Sequence, residues 1–261
     1  MNVPKSLALL FVFAATISCD NQDASASKGS INGNSQMVQP APKPNLVVVA
    51  EPEIQEPKHL FVLAGQFNMS ANLYNHFAQA VRKTIGKDKV TSVRSVNEEA
   101  KMAEWDEGYG KLMEDIGNGL VGNSYETVSL IWMHGESDAR SPSARSYKEN
   151  FLAFVDRLRT DLKAPELKFV VGRISDTGMS DSNGPYVKMV RESQVSAADG
   201  DDDGAWIDTD DLIRMGRDGD GIRYGRNAAA ILGERFAYKA MTQLGFTSEE
   251  LNPNMSIGQP Q

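Results

Sequence analysis

Short apolar runs alternate with amphipathic stretches along most of the chain. Apolar or alternating runs predict five β-strands, at 60–64, 90–96, 127–133, 167–174 and 205–209. Apolar residues at helical spacing predict five helices, at 74–85, 106–116, 141–162, 186–198 and 227–244. Since strand and helix alternate, the pattern predicts an α/β fold, a three-layer sandwich in which helices flank a central parallel sheet.

Glycine, serine and proline predict where several helices begin and end. Gly86 stands where a C-cap glycine closes the first helix, and Gly117 is expected to close the second in the same way. Ser141 is expected to cap the third helix, with Pro142 in its first turn, where the missing N–H costs no hydrogen bond.

The first 57 residues differ in composition from the rest. Residues 1–19 combine Lys5, an apolar run too short to span a bilayer, and then Cys19, a pattern typical of an export signal. Cys19 is the only cysteine, so it forms no disulfide within the chain, and its position resembles the lipidated cysteine of bacterial lipoproteins. Thr16 departs from that motif, which leaves plain secretion and an accidental cysteine as alternatives.

These features predict an exported protein of the periplasm or cell envelope, with a possible membrane tether at Cys19. Residues 20–57 are rich in Pro, Ser, Asn and Gln and are expected to form a disordered linker. The folded domain is expected to span 58–246, followed by a flexible tail at 247–261.

The charge of the chain excludes one class of function. A net charge of −8 and a pI near 5.0 argue against non-specific nucleic-acid binding, which needs clustered Lys and Arg. The acidic stretch from Asp199 to Asp210 has the spacing of an EF-hand calcium loop. A strand is predicted after it where an EF-hand has a helix, so we expect a surface loop and no metal site.

Polar residues follow two of the predicted strands and precede the last helix. These three blocks are Gly65–Ser70, Trp132–Asp138 and Asp220–Tyr224. In a parallel sheet covered on both faces, ligands bind beyond the carboxyl ends of the strands. We therefore expect the three blocks to meet there and to form the functional site.

The three blocks resemble those of the SGNH-type hydrolases, specifically the sialate O-acetylesterase-like carbohydrate esterases. LFVLAGQFNMS resembles a block that reads GQSNM in that family, WMHGESD resembles WxQGESD, and DGIRY resembles DGxHY. The resemblance implies acyl transfer, in which a Ser attacks the acetyl carbonyl, a His takes its proton and an Asp orients the His. It implies no cofactor, and an acetylated sugar as the ligand.

Two of the three catalytic residues implied by the resemblance are replaced. Phe67 stands at the nucleophile position and Arg223 at the base position, while Asp220 retains the acid. A guanidinium, with a pKa above ~12, cannot accept a proton at neutral pH. The resemblance therefore indicates the family, but this chain lacks the serine and the histidine on which the family's catalysis depends.

The remaining block residues are implied to bind the ligand or to stabilise the oxyanion. They are Gly65, Gln66, Asn68, His134, Gly135 and Glu136. His134 takes the place of the family's Gln and could donate from a ring nitrogen. The block that supplies the family's oxyanion glycine is hard to place, and Gly108 and Gly110 are the candidates.

Other residues could in principle restore catalysis. Ser70 is the nearest hydroxyl to Phe67, but Ser is common beside the family's own nucleophile and does not signal a relocated one. His134 could act as a base toward Ser137 or water, although a structural or binding role is favoured. His59 and His76 are expected at the surface.

Taken together, the sequence predicts a carbohydrate esterase-like domain that acts on or binds acetylated glycans and is catalytically impaired. Two alternatives stay open. One is an active esterase with an unrecognised nucleophile and base, and the other is an exported non-catalytic scaffold or partner-binding lipoprotein.

Overall fold

The five predicted strands form one parallel sheet in the computed structural model, which describes residues 58–120, 125–176, 184–215 and 222–251. The strands are β1 (His59–Gly65), β2 (Val90–Val96), β3 (Thr127–Met133), β4 (Lys168–Gly172) and β5 (Gly204–Ile207). Their order is β2-β1-β3-β4-β5. All four pairings are parallel, so the carboxyl ends of the strands lie at one edge.

The sheet centres on β1, which pairs with β2 on one side and β3 on the other. Gly65 is in register with both Val96 and Met133, so these three strands end at the same level. Every residue of β1 is buried, because neighbouring strands flank it and helices cover both faces.

Five α-helices cover the sheet. They are α1 (Ala71–Ile85), α2 (Trp105–Leu120), α3 (Tyr147–Asp161), α4 (Gly184–Asp199) and α5 (Arg226–Gln243). On one face, Phe77 of α1 packs edge-on against Phe61, with ring centroids 5.3 Å apart. On the other face, Trp105 of α2 and Phe154 of α3 pack against Trp132. The predicted three-layer sandwich is confirmed.

The first helix ends as predicted, but two other helix ends do not. Gly86 closes α1 at a φ of 111° and donates its N–H to the carbonyl of Arg82. The expected stop at Gly117 is wrong, because α2 continues to Leu120 and tolerates this glycine at a cost of about 1 kcal/mol. Ser141 makes no capping bond; a 3-10 turn occupies Pro142–Ser146, and α3 begins only at Tyr147.

The prediction that His59 lies at the surface is also wrong. This residue begins β1, is buried, and its Nδ1 lies 2.6 Å from Oγ1 of Thr127. His76 is partly exposed on α1 and lies 3.6 Å from Glu234, in agreement with the sequence.

Several predicted features lie outside the described residues. These are the signal peptide, Cys19, the linker up to residue 57, the tail from 252 and Asp220. Within the described ranges, no helix has both the length and the apolar character that crossing a membrane requires.

Candidate functional site

The first block turns sharply at Gly65, the last residue of β1. Its φ of 150° suits only glycine, and a Cβ there would lie 1.9 Å from the carbonyl oxygen of Met133. The backbone N–H of Gln66 then donates to that same oxygen at 2.9 Å. The missing side chain therefore allows the loop after β1 to run directly against the end of β3.

Gln66 joins the first block to the second through its side-chain amide. Its Oε1 accepts the N–H of Gly135 at 2.9 Å, and its Nε2 donates to the Ser137 hydroxyl at 2.6 Å. The side chain is fully buried, so these bonds form away from competing water.

Asn68 joins all three blocks. Its Nδ2 donates to Oε1 of Glu136 at 2.6 Å and to the carbonyl of Ile222 at 3.1 Å. Its Oδ1 accepts the backbone N–H of Tyr224 at 3.2 Å. The described parts of the three blocks therefore meet at the carboxyl edge of the sheet, as expected from the positions of the strand ends.

Phe67 and Arg223 lie against each other at this junction. The guanidinium carbon of Arg223 is 4.6 Å from the centroid of the Phe67 ring, within the range of a cation–π contact. Phe67 is partly buried and Arg223 is exposed. The two residues at the family's nucleophile and base positions thus form an aromatic–cationic pair.

His134 is fully buried beneath the site and has one hydrogen-bonded nitrogen. Its Nε2 lies 2.9 Å from the carbonyl of Ala100, and its ring stacks on Trp132 with centroids 4.9 Å apart. Within the described part of the chain, Nδ1 has no hydrogen-bond partner. Burial lowers the pKa of His134 to about 3, so the ring is neutral, with its proton on Nε2 toward Ala100.

Gln194 supports His134 and was missed by the sequence reasoning. It is fully buried on α4; its Nε2 donates to the His134 carbonyl at 2.7 Å, and its Oε1 accepts the N–H of Ile174 at 2.9 Å. Tyr147 donates its hydroxyl to the same His134 carbonyl at 3.0 Å. The sequence feature that could have identified Gln194 is a glutamine within the otherwise apolar stripe of a helix, since a buried polar side chain needs a hydrogen-bond partner.

The two serines near the site already have hydrogen-bond partners. Ser70 caps α1, where its Oγ accepts the N–H of Leu73 at 3.3 Å. The Ser137 hydroxyl accepts from Gln66. Gly108 and Gly110, the candidates for an oxyanion glycine, lie inside α2. The backbone N–H of Gly110 falls past the first turn and belongs to the helix.

Glu136 is a buried acid at the centre of the junction. It is 2% exposed, and its Oε2 has no hydrogen-bond partner within the described ranges. Burial raises its pKa above the ordinary value, although the bond from Asn68 and the positive charge of Arg140 oppose this.

This burial predicts a pH-dependent stability. Because the folded-state pKa is the higher one, the folded state gains stability from protonated Glu136 at low pH. That gain is lost as the pH rises from the unfolded value of about 4.5 through the folded one. Glu136→Gln should therefore raise the melting temperature increasingly above pH 5, by about 2–4 °C for each kcal/mol gained. Thermal unfolding from pH 4 to 8 measures this.

The matched control is Glu99→Gln, which removes the same charge from an exposed position. It should not reproduce the pH-dependent gain. Equal melting curves for Glu136→Gln and wild type at every pH would show that burial of this carboxylate carries no cost.

The acidic stretch after α4 lies apart from this junction. Asp201 pairs with Arg159 at 2.9 Å, Lys168 pairs with Asp203 at 2.6 Å, and Asp210 accepts from Arg191 at 2.8 Å. The absence of a calcium site stays a prediction, and these pairs favour it because three of the acids already have cationic partners.

Comparison with known proteins bears on the family of the chain. A family model described as carbohydrate esterase, sialic acid-specific acetylesterase matches residues 70–242. Similar solved structures include a protein from Arabidopsis thaliana, with 19% identity, a TM-score of 0.56, and coverage of 72% of this chain and 99% of that one. A carbohydrate esterase family 3 protein from Talaromyces cellulolyticus shows 11% identity, a TM-score of 0.53, and coverage of 73% and 100%.

A carbohydrate acetylesterase from Xanthomonas citri is also similar, with 17% identity, a TM-score of 0.51, and coverage of 72% of this chain and 57% of that one. At these identities the structures share the fold with the chain. No curated protein matches it. The family model covers well over half of the 261 residues and includes the second and third blocks, while residues 65–69 of the first block precede it. The chain belongs to the sialic acid-specific acetylesterase family of carbohydrate esterases.

Proposed function

We propose that this domain binds an O-acetylated sialic acid at the Phe67–Arg223 junction and does not hydrolyse it by the serine–histidine route of its family. The observation that carries the proposal is the stacked pair itself. A phenyl ring has no nucleophilic atom, and a guanidinium does not accept a proton at neutral pH.

His134 does not replace the missing base. Its pKa of about 3 makes it a weak proton acceptor at neutral pH, and its ring is fully buried. The nearby hydroxyls of Ser70 and Ser137 accept from Leu73 and Gln66, and within the described residues neither is hydrogen-bonded to this ring. In the part of the site that the structure describes, neither serine therefore makes the nucleophile–base contact that would activate it.

His134 is also unsuited to the oxyanion role that the resemblance implies for its position. The only N–H of the neutral ring is directed at the carbonyl of Ala100, and its other nitrogen is an acceptor. An oxyanion needs a preorganised donor, and losing one such donor typically costs about 10²–10³ in rate. This third change adds to the replacements at Phe67 and Arg223.

The same pair is suited to binding. Arg223 lies over the Phe67 ring, so the pair offers a ligand a cation together with the part of the aromatic ring that stays exposed. A guanidinium carries its N–H donors in one plane, the geometry that binds a carboxylate with two parallel bonds. A sialic acid supplies that carboxylate, and the family model names sialic acid.

The wild type should therefore bind the acetylated sialic acid without hydrolysing it. Calorimetric titration with 9-O-acetyl-N-acetylneuraminic acid should give saturable binding by the wild type without acetate release. Arg223→Ala should weaken this binding by about tenfold, the effect of one charge-assisted contact. The matched control, Arg226→Ala, removes an exposed arginine from the start of α5 and should leave affinity unchanged.

Two results would contradict the proposal. Equal loss of affinity in Arg223→Ala and Arg226→Ala would show that the weaker binding reflects only the lost positive charge and not a contact made by Arg223. Rapid acetate release by the wild type would show that the site has a nucleophile and base other than the replaced pair.

A further inference from the structure

A pocket lies near the Phe67 loop, between the end of β2 and the first two turns of α2. Its volume is about 340 Å³, at the lower end of the range for small-molecule sites. Asn97, Trp105, Glu107 and Gly108 contribute to its lining. It opens at the carboxyl edge of the sheet, where ligands of such folds bind.

Backbone contacts place this pocket next to the proposed sialic acid site. Val96, which lines it, pairs with Gly65 across the sheet, and the N–H of Asn97 donates to the Gly65 carbonyl at 3.1 Å. Adjacent strands lie about 4.8 Å apart, so the pocket begins one strand away from the loop that carries Phe67.

Arg223 reaches Phe67 from the opposite side. The next residue, Tyr224, donates its hydroxyl at 2.6 Å to Thr209, which follows β5 at the far edge of the sheet. The pocket lies on the β2 side instead. A ligand that contacts the Phe67–Arg223 pair can therefore extend away from Arg223 toward the β2 side, where the pocket lies.

The polar groups of the pocket suit a neutral polyol. Within the described residues, the side chains of Asn97 and Glu107 make no hydrogen bond to protein. Sugar hydroxyls both donate and accept, which matches this combination of amide and carboxylate. Lys111 also lines the pocket, but its Nζ is paired with Asp115 at 2.6 Å. The carboxylate of Glu107 therefore disfavours a second anionic group.

Gly108 leaves space for the Asn97 amide. A Cβ at Gly108 would lie 3.1 Å from Nδ2 of Asn97, so that amide would have to shift by a few tenths of an ångström from its position at the pocket. A Cβ at Gly110, two residues along the same helix, would meet no atom within 4 Å, so this glycine provides a matched control.

We infer that this pocket is a subsite for a neutral sugar ring joined to the O-acetylated sialic acid. The domain then recognises a sialylated oligosaccharide in preference to the free acid. The inference rests on the proposed function and adds a second contact region to it.

Titration with two probes tests the subsite: 9-O-acetyl-N-acetylneuraminic acid, and the same sugar linked to lactose. The wild type should bind the lactose conjugate about tenfold more tightly, as expected for a hydrogen bond to a charged group. Gly108→Ala and Glu107→Gln should each remove this advantage and leave affinity for the free sugar unchanged. Gly110→Ala should keep both affinities.

The helix tolerates the glycine-to-alanine changes, since alanine is a better helix former than glycine by ~1 kcal/mol. Glu107→Gln provides a second test that adds no side-chain volume. Equal wild-type affinity for the two probes would overturn the subsite and leave the proposed function standing. Loss of the lactose advantage in Gly110→Ala as well would also overturn it. Absence of binding to either probe would overturn both.

Discussion

Changing Phe67 to serine and Arg223 to histidine together should give this domain esterase activity at least about a hundredfold above the wild type. The loop that carries residue 67 and the loop that carries residue 223 are already joined through Asn68, so both new side chains would enter an assembled site. Acetate release from 9-O-acetyl-N-acetylneuraminic acid measures the gain.

Each single change should stay at the wild-type level, because a nucleophile without a base, or a base without a nucleophile, loses most of the effect of the pair. Adding Asp220→Asn to the double variant should remove the gain, since the family resemblance implies that Asp220 is the acid that would orient the new histidine. If the wild type were already active and Ser70→Ala or Ser137→Ala abolished that activity, the catalytic residues would have to lie elsewhere.

Gly65→Ala should destabilise the fold by ~3 kcal/mol or more. The added Cβ would meet the Met133 carbonyl at 1.9 Å, and alanine rarely adopts a φ of 150°. Relief of the clash would move the loop away from β3 and break the bond from the Gln66 N–H. Thermal unfolding should show a melting temperature lower by roughly 6–12 °C.

Gly110→Ala serves as the control, because its Cβ would meet no atom and alanine favours the helix. Its melting temperature should equal or exceed that of the wild type. A Gly65→Ala variant as stable as the wild type would mean that close contact between the two loops is not required for folding.

These two predictions follow because the residues that hold the loops together are different from those at the nucleophile and base positions. Gln66, Asn68 and Glu136 hold the three blocks together through buried hydrogen bonds. Phe67 and Arg223 lie at the accessible side of that framework and do not take part in those bonds. The residues at positions 67 and 223 can therefore change while the loops keep their arrangement.

The sequence by itself determined the order of strands and helices and the edge at which the site forms. Apolar periodicity is a local property, and five strands separated by helices leave few arrangements other than a covered parallel sheet. The three blocks follow from the same reasoning, because strand ends converge whatever the details of packing. The replacements at Phe67 and Arg223 are likewise visible without coordinates.

Only the tertiary structure decided what individual polar groups do within this framework. His134 looked like a possible donor to the ligand until packing placed Ala100 against its Nε2. Gln194 lies 60 residues away in the chain and supports the same loop. His59 proved buried because β3 places Thr127 beside it. Each outcome depends on a partner that is distant in sequence, so no local sequence pattern predicts it. In the folded chain, a buried polar group without a partner costs free energy, and this cost favours packing that supplies one.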